Sequence, residues 1–262
     1  MRQRLRWAGH ETQTGRVMLS PLATGICVGL GAAGAAGIAA GGFTYASLWP
    51  SSRIFGTALT APRRPGEIAL TFDDGPNPEW TPRLLDMLAK HDVKATFFML
   101  GKFASVHREL VRRVAGEGHL IGDHSWSHPK LSQCSAQRIQ DELKRTKDTL
   151  EQIVGAKVRF FRPPFGARRP AVFRIARDLR LETVLWNAMT NDWVEPSTDK
   201  IVATLSKRVD AHTRIGQATN IVLHDGNHRE AVGKRGPSVA AAETLLKRYL
   251  PTHKFVTLLQ WV

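Results

Sequence analysis

Two adjacent carboxylates follow a short apolar run in this chain. Residues 71–78 read TFDDGPNP, so Asp73 and Asp74 come directly after the run Ile68–Leu70 and directly before Gly75. Asp and Gly both favour turns, and a tight turn is one interpretation of the pair. The other is a functional site, in which the pair supplies a carboxylate ligand to a divalent cation.

Two histidines supply further candidate ligands. His124 and His128 lie at positions i and i+4 in GDHSWSHP, a spacing that lets two imidazoles share one ion. Pro129 follows the second histidine, so the sequence indicates a loop or one short turn here and not a long helix. Two imidazoles and one carboxylate suit a divalent cation with open positions for water. Because Cys27 and Cys134 are the only cysteines, any metal must be held by oxygen and imidazole ligands.

Three more motifs place polar side chains at the ends of apolar runs. Arg162 lies in RFFRPPFG, Asp192 in NDW, and His224 in NIVLHDG. In parallel α/β folds the active site gathers at the carboxyl ends of the strands. We therefore expect these residues to meet the acids and the histidines at one edge of a sheet.

The elements that position them alternate from about residue 65 onward. The predicted strands are short apolar runs: Ile68–Phe72, Ala95–Leu100, Leu120–Ile121, Phe160–Arg162, Thr183–Trp186, Asn220–His224 and Phe255–Leu259. The predicted helices are amphipathic stretches near 81–91, 106–117, 136–154, 170–179, 198–212 and 238–249. Alternation of this kind predicts crossover connections and a largely parallel sheet, either closed as a barrel or open and doubly wound.

The N-terminal part differs in composition. Residues 17–49 contain no charged residue and no histidine, which is enough chain to cross roughly 30 Å of hydrocarbon as a helix. Arginines in the basic segment 1–16 predict that this segment stays in the cytoplasm while the rest is exported. The Gly- and Ala-rich run is interpreted either as a membrane anchor or as a cleaved signal peptide. Residues 50–66 are predicted to be a linker and 67–262 the catalytic domain.

Charge limits the partners. The formal net charge is +14, and most of the excess lies after residue 53. Such a charge favours anionic partners such as nucleic acid, an envelope polymer or lipid head groups. The predicted export and the lack of a basic patch interleaved with aromatic residues argue against nucleic acid. We predict a monomer whose contact with the membrane is made by its N-terminal segment.

The motifs TFDDG, HSWSH, RPPFG, NDW and LHD resemble, in order and spacing, the polysaccharide deacetylases of the NodB-homology type. This family includes chitin, peptidoglycan, acetylxylan and nodulation chitooligosaccharide deacetylases. The resemblance covers about residues 66–262. It implies a distorted (β/α) barrel of seven or eight mostly parallel strands. The activity it implies is metal-dependent removal of N-acetyl groups from an N-acetylglucosamine-containing glycan of the chitooligosaccharide or peptidoglycan type.

The resemblance also implies roles for the first motifs. Asp74, His124 and His128 are expected to hold a divalent metal, with Zn first and Co, Ni or Mn as alternatives. Asp73 is expected to be the general base. Arg162 is expected to orient that base.

The later motifs complete the implied site. His224 is expected to act as the general acid, and Asp192 is expected to tune it. Phe165, Trp193 and Leu223 are expected to line a small pocket for the acetyl methyl group.

One departure from the family pattern concerns substrate fit. The family often carries an acid near Asn187 or Met189, and this chain has none there, which predicts an altered fit with the chemistry intact. His212, His228 and His253 are predicted to be surface or structural residues.

Other interpretations remain open at this point. A catalytically inactive glycan-binding relative would share the motifs, and so would an O-deacetylase of acetylxylan. A two-histidine-one-carboxylate iron oxygenase would share the ligand set. It would not need the Asp73–Arg162 and Asp192–His224 pairs.

Overall fold

The computed structural model describes residues 41–262. The predicted basic segment 1–16 and most of the run 17–49 lie outside the described residues. Among the helices between residues 41 and 262, none combines the length and the apolar character that a membrane crossing requires. The fold lies in the compact unit Thr44–Val262.

Parallel strands form one curled sheet in this unit. The strands are β1 (Glu67–Gly75), β2 (Thr96–Met99), β3 (Leu120–Asp123), β4 (Phe160–Phe161), β5 (Glu182–Thr183), β6 (Ala188–Met189), β7 (Thr219–His224) and β8 (Lys254–Val256). Their order is β5-β4-β3-β2-β1-β7-β6, and β8 adds to β1. Every pairing is parallel. The first seven strands make a curled half-barrel, which confirms the predicted α/β class.

Helices connect most successive strands on the outside of the sheet, whereas β5 is followed by β6 without a helix. The helices are α1 (Trp80–Lys90), α2 (Gly101–Val106), α3 (Arg108–Gly116), α4 (Ala136–Val154), α5 (Pro170–Asp178), α6 (Thr198–Arg214) and α7 (Gly236–Tyr249). Ser135 and Ser197 cap α4 and α6, because each hydroxyl accepts a hydrogen bond from a backbone N–H in the first turn. Gly155, at φ 69°, ends α4 in the left-handed conformation that glycine adopts without strain.

Three elements differ from the sequence prediction. The helix predicted at 106–117 is α3, and α2 before it was not predicted; the backbone at His107 leaves the helical region (φ −100°, ψ 48°) and separates the two. The strand β6 was not predicted, since two residues are too short to show a periodic pattern. The last strand ends at Val256, and a 3₁₀ helix over Leu258–Trp261 replaces the rest of the predicted strand.

The alternation of side chains along β1 separates two apolar cores. Ile68, Leu70 and Phe72 pack against the outer helices. Ala69 faces the smaller cluster inside the curl of the sheet. Because neighbouring residues of a strand point to opposite faces, Asp73 continues the inner face of β1.

Part of the predicted linker 50–66 belongs to the fold. The N–H of Leu59 donates to the carbonyl of Thr183 (2.9 Å), and the N–H of Ala218 donates to the carbonyl of Pro62 (3.0 Å). The segment therefore bridges the chain near β5 and the chain before β7. It gives partners to backbone groups that an open half-barrel would otherwise leave at its edges.

Candidate active site

The acid pair lies where β1 leaves the regular sheet. Asp73 pairs in register with His224 of β7, and the pairing of β1 with β2 is irregular between Asp73 and Gly75. Asp74 has a φ of 71°, so its side chain is turned by the local backbone and does not follow the strand alternation. A Cβ on Gly75 would lie 2.6 Å from the carboxylate of Asp225. The glycine after the acids is therefore required by a close approach of Asp225.

Asp225 packs against the backbone of the acid pair and stabilises it. It is fully buried, and its backbone N–H donates to the carbonyl of Asp73 (3.3 Å). The hydroxyl of Thr81 donates to its carboxylate. Burial raises the pKa of Asp225 to about 7, although the bond from Thr81 opposes the rise. The sequence did not indicate a role for Asp225, which in the structure contacts and stabilises the acid pair.

Arg162 fixes the orientation of Asp73. Its Nη1 donates to Asp73 Oδ1 (2.7 Å) and to the hydroxyl of Thr71 (2.8 Å), while Nη2 lies 3.4 Å from Asn220 Oδ1. The guanidinium is fully buried above the ring of Phe98. Burial lowers the pKa of Arg162, and the charge of Asp73 works against that change. The Asp73–Arg162 contact agrees with the prediction that Arg162 orients Asp73. Thr71 and Asn220 also contact the Arg162 guanidinium, and the sequence did not indicate either of them.

Asp74 and the two motif histidines converge on one point. The Nε2 atoms of His124 and His128 lie 3.5 and 3.2 Å from Asp74 Oδ1. Ligands of one tetrahedral zinc ion, about 2.0–2.2 Å from the ion, lie roughly 3.3–3.6 Å apart. The carbonyl of Arg162 is 2.8 Å from His124 Nδ1, which places the proton on Nδ1 and leaves Nε2 as a donor for a metal.

A third histidine joins this cluster. His228 was predicted to be a surface or structural residue, but its Nδ1 lies 3.7 Å from Asp74 Oδ2 and its ring stacks on His128 at 4.4 Å. Asp74, His128 and His228 each offer a ligand atom within 4.8 Å of the others. Lys102 Nζ donates to the backbone carbonyl of His228 (2.6 Å), which holds the loop in place.

The charge states of the cluster suit a cation. Burial alone would raise the pKa of Asp74, but its interactions with the imidazoles of His124 and His228 hold it well below its usual range. Burial, assisted by the charge of His124, lowers the pKa of His128 to about 3. Asp74 Oδ1 is buried and has no hydrogen-bond partner among the described residues. An ionised carboxylate with a free oxygen beside a neutral imidazole fits a divalent metal.

His224 forms a second close pair, with Asp192. Asp192 Oδ1 lies 2.8 Å from His224 Nδ1, and Oδ2 accepts bonds from the His224 N–H (2.8 Å) and the Ser238 hydroxyl (2.7 Å). Burial lowers the pKa of His224, but the charge and the hydrogen bond of Asp192 outweigh burial and raise it to about 9. His224 is therefore protonated at neutral pH.

These groups open into one cavity of about 700 Å³. Phe165 and Trp193, which were predicted as pocket residues, line it and are 53% and 42% exposed. The prediction for Leu223 is wrong, because Leu223 packs in the core under the helices. Its neighbour Val222 lines the cavity instead, since alternate residues of β7 face opposite sides of the sheet. Met189 also lines the cavity, at the position where the acid is absent.

Comparison of the sequence with known proteins shows which family the chain belongs to. Residues 60–184 match the family described as Polysaccharide deacetylase. The chain is 39% identical over 170 residues to a chitooligosaccharide deacetylase of Rhizobium leguminosarum bv. trifolii, covering 63% of this chain and 74% of that protein. The chain belongs to the polysaccharide deacetylase family. The family and the enzyme class predicted from the five motifs are confirmed.

Further relatives and solved structures are also similar to this chain. A peptidoglycan-N-acetylglucosamine deacetylase of Bacillus cereus is 40% identical over 144 residues, covering 55% of this chain. The chain spans about half (52%) of the length of that relative. A crystal structure of a peptidoglycan N-acetylglucosamine deacetylase superposes with a TM-score of 0.69 at 32% identity, covering 78% of this chain and 91% of the other. A CE4 family pseudoenzyme from Bacillus anthracis also has a TM-score of 0.69, at 25% identity, covering 78% and 68%.

The pKa of His224 leads to a prediction about how activity depends on pH. If His224 delivers a proton, activity falls as pH rises through its pKa of about 9. Asp192→Asn removes the largest influence that raises this pKa and leaves the burial that lowers it, while the charges of Asp74 and Asp73 still raise it. The alkaline limb should therefore move to lower pH by about one unit or more. Ser238→Ala, which keeps the charge of Asp192, is the control and should move the limb less. Rate–pH profiles measure both, and an unchanged alkaline limb in Asp192→Asn would contradict the assignment.

Proposed function

We propose that the protein hydrolyses N-acetyl groups from an N-acetylglucosamine-containing polysaccharide or oligosaccharide, of the chitooligosaccharide or peptidoglycan type, and releases acetate. One observation carries the proposal. The Asp73–Arg162 pair and the Asp192–His224 pair flank Asp74 in a single cavity, so a proton acceptor and a proton donor face the same substrate volume.

The two pairs supply opposite proton transfers. Amide hydrolysis needs a base for the attacking water and an acid for the departing amine. Asp73, held by the buried cation of Arg162, accepts the proton of the water. His224, kept protonated by Asp192, donates a proton to the amine nitrogen.

A divalent metal is part of the proposal. Asp74, His124 and His128 would hold it, and the unpartnered oxygen of Asp74 together with the lone pair on His124 Nε2 supports this set. A bound ion lowers the pKa of its water and polarises the acetyl carbonyl. Zn is the first choice of metal, with Co, Ni or Mn as alternatives for oxygen and imidazole ligands.

The apolar lining of the cavity suits an acetyl group. Trp193 lies edge-on to His224, with 5.1 Å between ring centroids, and Val222 precedes His224 by two residues on the same face of β7. We propose that Trp193 and Val222 contact the acetyl methyl, with Phe165 at the mouth of the cavity. Apolar side chains beside a few convergent polar groups are typical of small-ligand sites.

The cellular setting is also proposed. The charge-free run 17–49 and the arginines before it support export of the catalytic domain, either anchored in the membrane or secreted after cleavage. The substrate is then a glycan outside the cytoplasm, and the protein acts as a monomer.

One alternative has a specific observation in its favour. The similarity to a CE4 family pseudoenzyme makes an inactive glycan-binding relative the second candidate. Both proton-handling pairs are complete in this chain, and binding alone requires neither. An O-deacetylase of acetylxylan is the third.

Acetate release by the full-length protein tests these candidates. The substrates are chitooligosaccharides, peptidoglycan and acetylxylan, each with and without a chelator. We expect release from an N-acetylated glycan that stops with chelator and returns with added metal. Release from acetylxylan alone would favour the O-deacetylase, and glycan binding without any release would favour the inactive relative.

A further inference from the structure

A second cavity, of about 580 Å³, lies at the opposite end of the strands from the active site. Arg159 directly precedes β4 and Glu182 begins β5, so this cavity is at the amino ends of these strands. Four arginines line it, and we call it the basic cleft: Arg159, Arg174, Arg177 and Arg180.

The arginines of the basic cleft are exposed, and no described carboxylate pairs with them. Within residues 41–262, none of the four guanidinium groups has a carboxylate oxygen within 4.0 Å. Glu182 is the acid in the lining, and its pKa is raised by burial, which Arg159 opposes. Guanidinium groups bind phosphate by paired hydrogen bonds, so unpaired arginines around one cavity suit a phosphate-bearing anion.

Exposed apolar side chains precede the basic cleft along the chain. Tyr45, Trp49 and Ile54 are 47%, 59% and 65% exposed, and we call these three residues the apolar strip. Phe55, which directly follows the strip, lines the cleft together with Phe173. Tyr and Trp are the residues enriched at the interface between membrane and water.

Buried contacts fix the strip to the cleft. Arg168 is fully buried, and its guanidinium donates to the carbonyls of Ser47 (3.1 Å) and Ser52 (3.3 Å). Gly56 packs against the ring of Phe173, where a Cβ would lie 2.8 Å from the ring. The segment that carries the strip is therefore held against α5, the helix that carries Arg174 and Arg177.

We propose that the basic cleft and the apolar strip form a docking face for an anionic phospholipid bilayer, with the cleft binding phosphate-bearing head groups. Unpaired arginines beside interfacial aromatic residues match the two chemistries of such a surface. Tyr45 and Trp49 belong to the end of the charge-free run 17–49, and Ile54 follows it. The docking does not depend on the proposed reaction.

Hydrogen exchange of the full-length protein in lipid nanodiscs tests the docking. One disc contains phosphatidylcholine, and the other contains phosphatidylcholine mixed with phosphatidylglycerol. We expect peptides over residues 49–57 and 170–181 to exchange more slowly in the anionic disc, and salt to reverse the effect. An arginine near an anionic surface contributes a factor of about five in binding. Arg174→Gln with Arg177→Gln should therefore weaken docking by roughly 25-fold.

A matched control variant distinguishes a specific effect of the docking face from a general effect of lowering the positive charge of the protein. Lys207→Gln with Arg208→Gln removes the same charge from exposed positions of α6, and it should retain the slow exchange. Glycerol phosphate added to the phosphatidylcholine disc distinguishes free phosphate from lipid. The proposal is overturned if both discs protect equally, if the α6 variant loses as much protection, or if glycerol phosphate alone reproduces it.

Discussion

Asp73→Asn should lower the rate of acetate release by about 10²–10⁴-fold while the protein keeps its metal. An amide at this position still accepts a hydrogen bond from Arg162, so the side chain keeps its place. It cannot accept the proton of the attacking water. Asp74 and the motif histidines are untouched, so the metal content measured on the same sample should equal that of the wild type.

Asp74→Asn is the matched control, since it makes the same chemical change one residue further along. Its metal affinity should fall, and added metal should restore part of the rate. Asp73→Asn leaves the buried Arg162 without its counter-charge, at a cost in folding free energy of about 3–5 kcal/mol. Rates must therefore be compared below the unfolding transition, measured by circular dichroism. Loss of metal in Asp73→Asn with retention in Asp74→Asn would reverse the two roles.

The parts of the fold that could be predicted are those with long apolar patterns. The strands β1 and β7 and the helix α4 are long enough for their residue pattern to reveal them. The strand β6 has two residues and no such pattern, and the pairing of Leu59 beside β5 depends on an edge that exists only in the folded sheet.

Prediction of single site residues from the sequence also depended on whether a clear residue pattern was present. Strand-end motifs placed Asp73, Asp74 and His224 together, because parallel strands end at one edge. The sequence could not distinguish Val222 from Leu223, since β7 is buried on both faces and has no polar–apolar alternation to set its phase. His228 was missed because its contact with Asp74 depends on the path of the loop after β7, which carries no periodic signal.

His128→Ala should abolish stoichiometric metal binding and with it the activity. Its Nε2 lies 3.2 Å from the oxygen of Asp74 that has no hydrogen-bond partner, so no other described side chain replaces it there without movement. His228→Ala should have a smaller effect. The His228 ring contacts Asp74 through the other oxygen, at 3.7 Å, and residues that orient a metal ligand typically contribute 10–100-fold to metal affinity. Titration with a competing chelator measures both affinities.

The contrast between the two histidines decides the ligand set. His212, which contacts the hydroxyl of Thr219 and does not line the cavity, supplies the control, and His212→Ala should bind metal like the wild type. Cobalt substitution adds a readout that does not depend on activity, because the visible spectrum of Co²⁺ changes when a nitrogen ligand is lost. An altered spectrum in His124→Ala and an unaltered one in His228→Ala would support ligation by Asp74, His124 and His128. The opposite pattern would make His228 a ligand in place of His124, and the loop after β7 would then belong to the metal site.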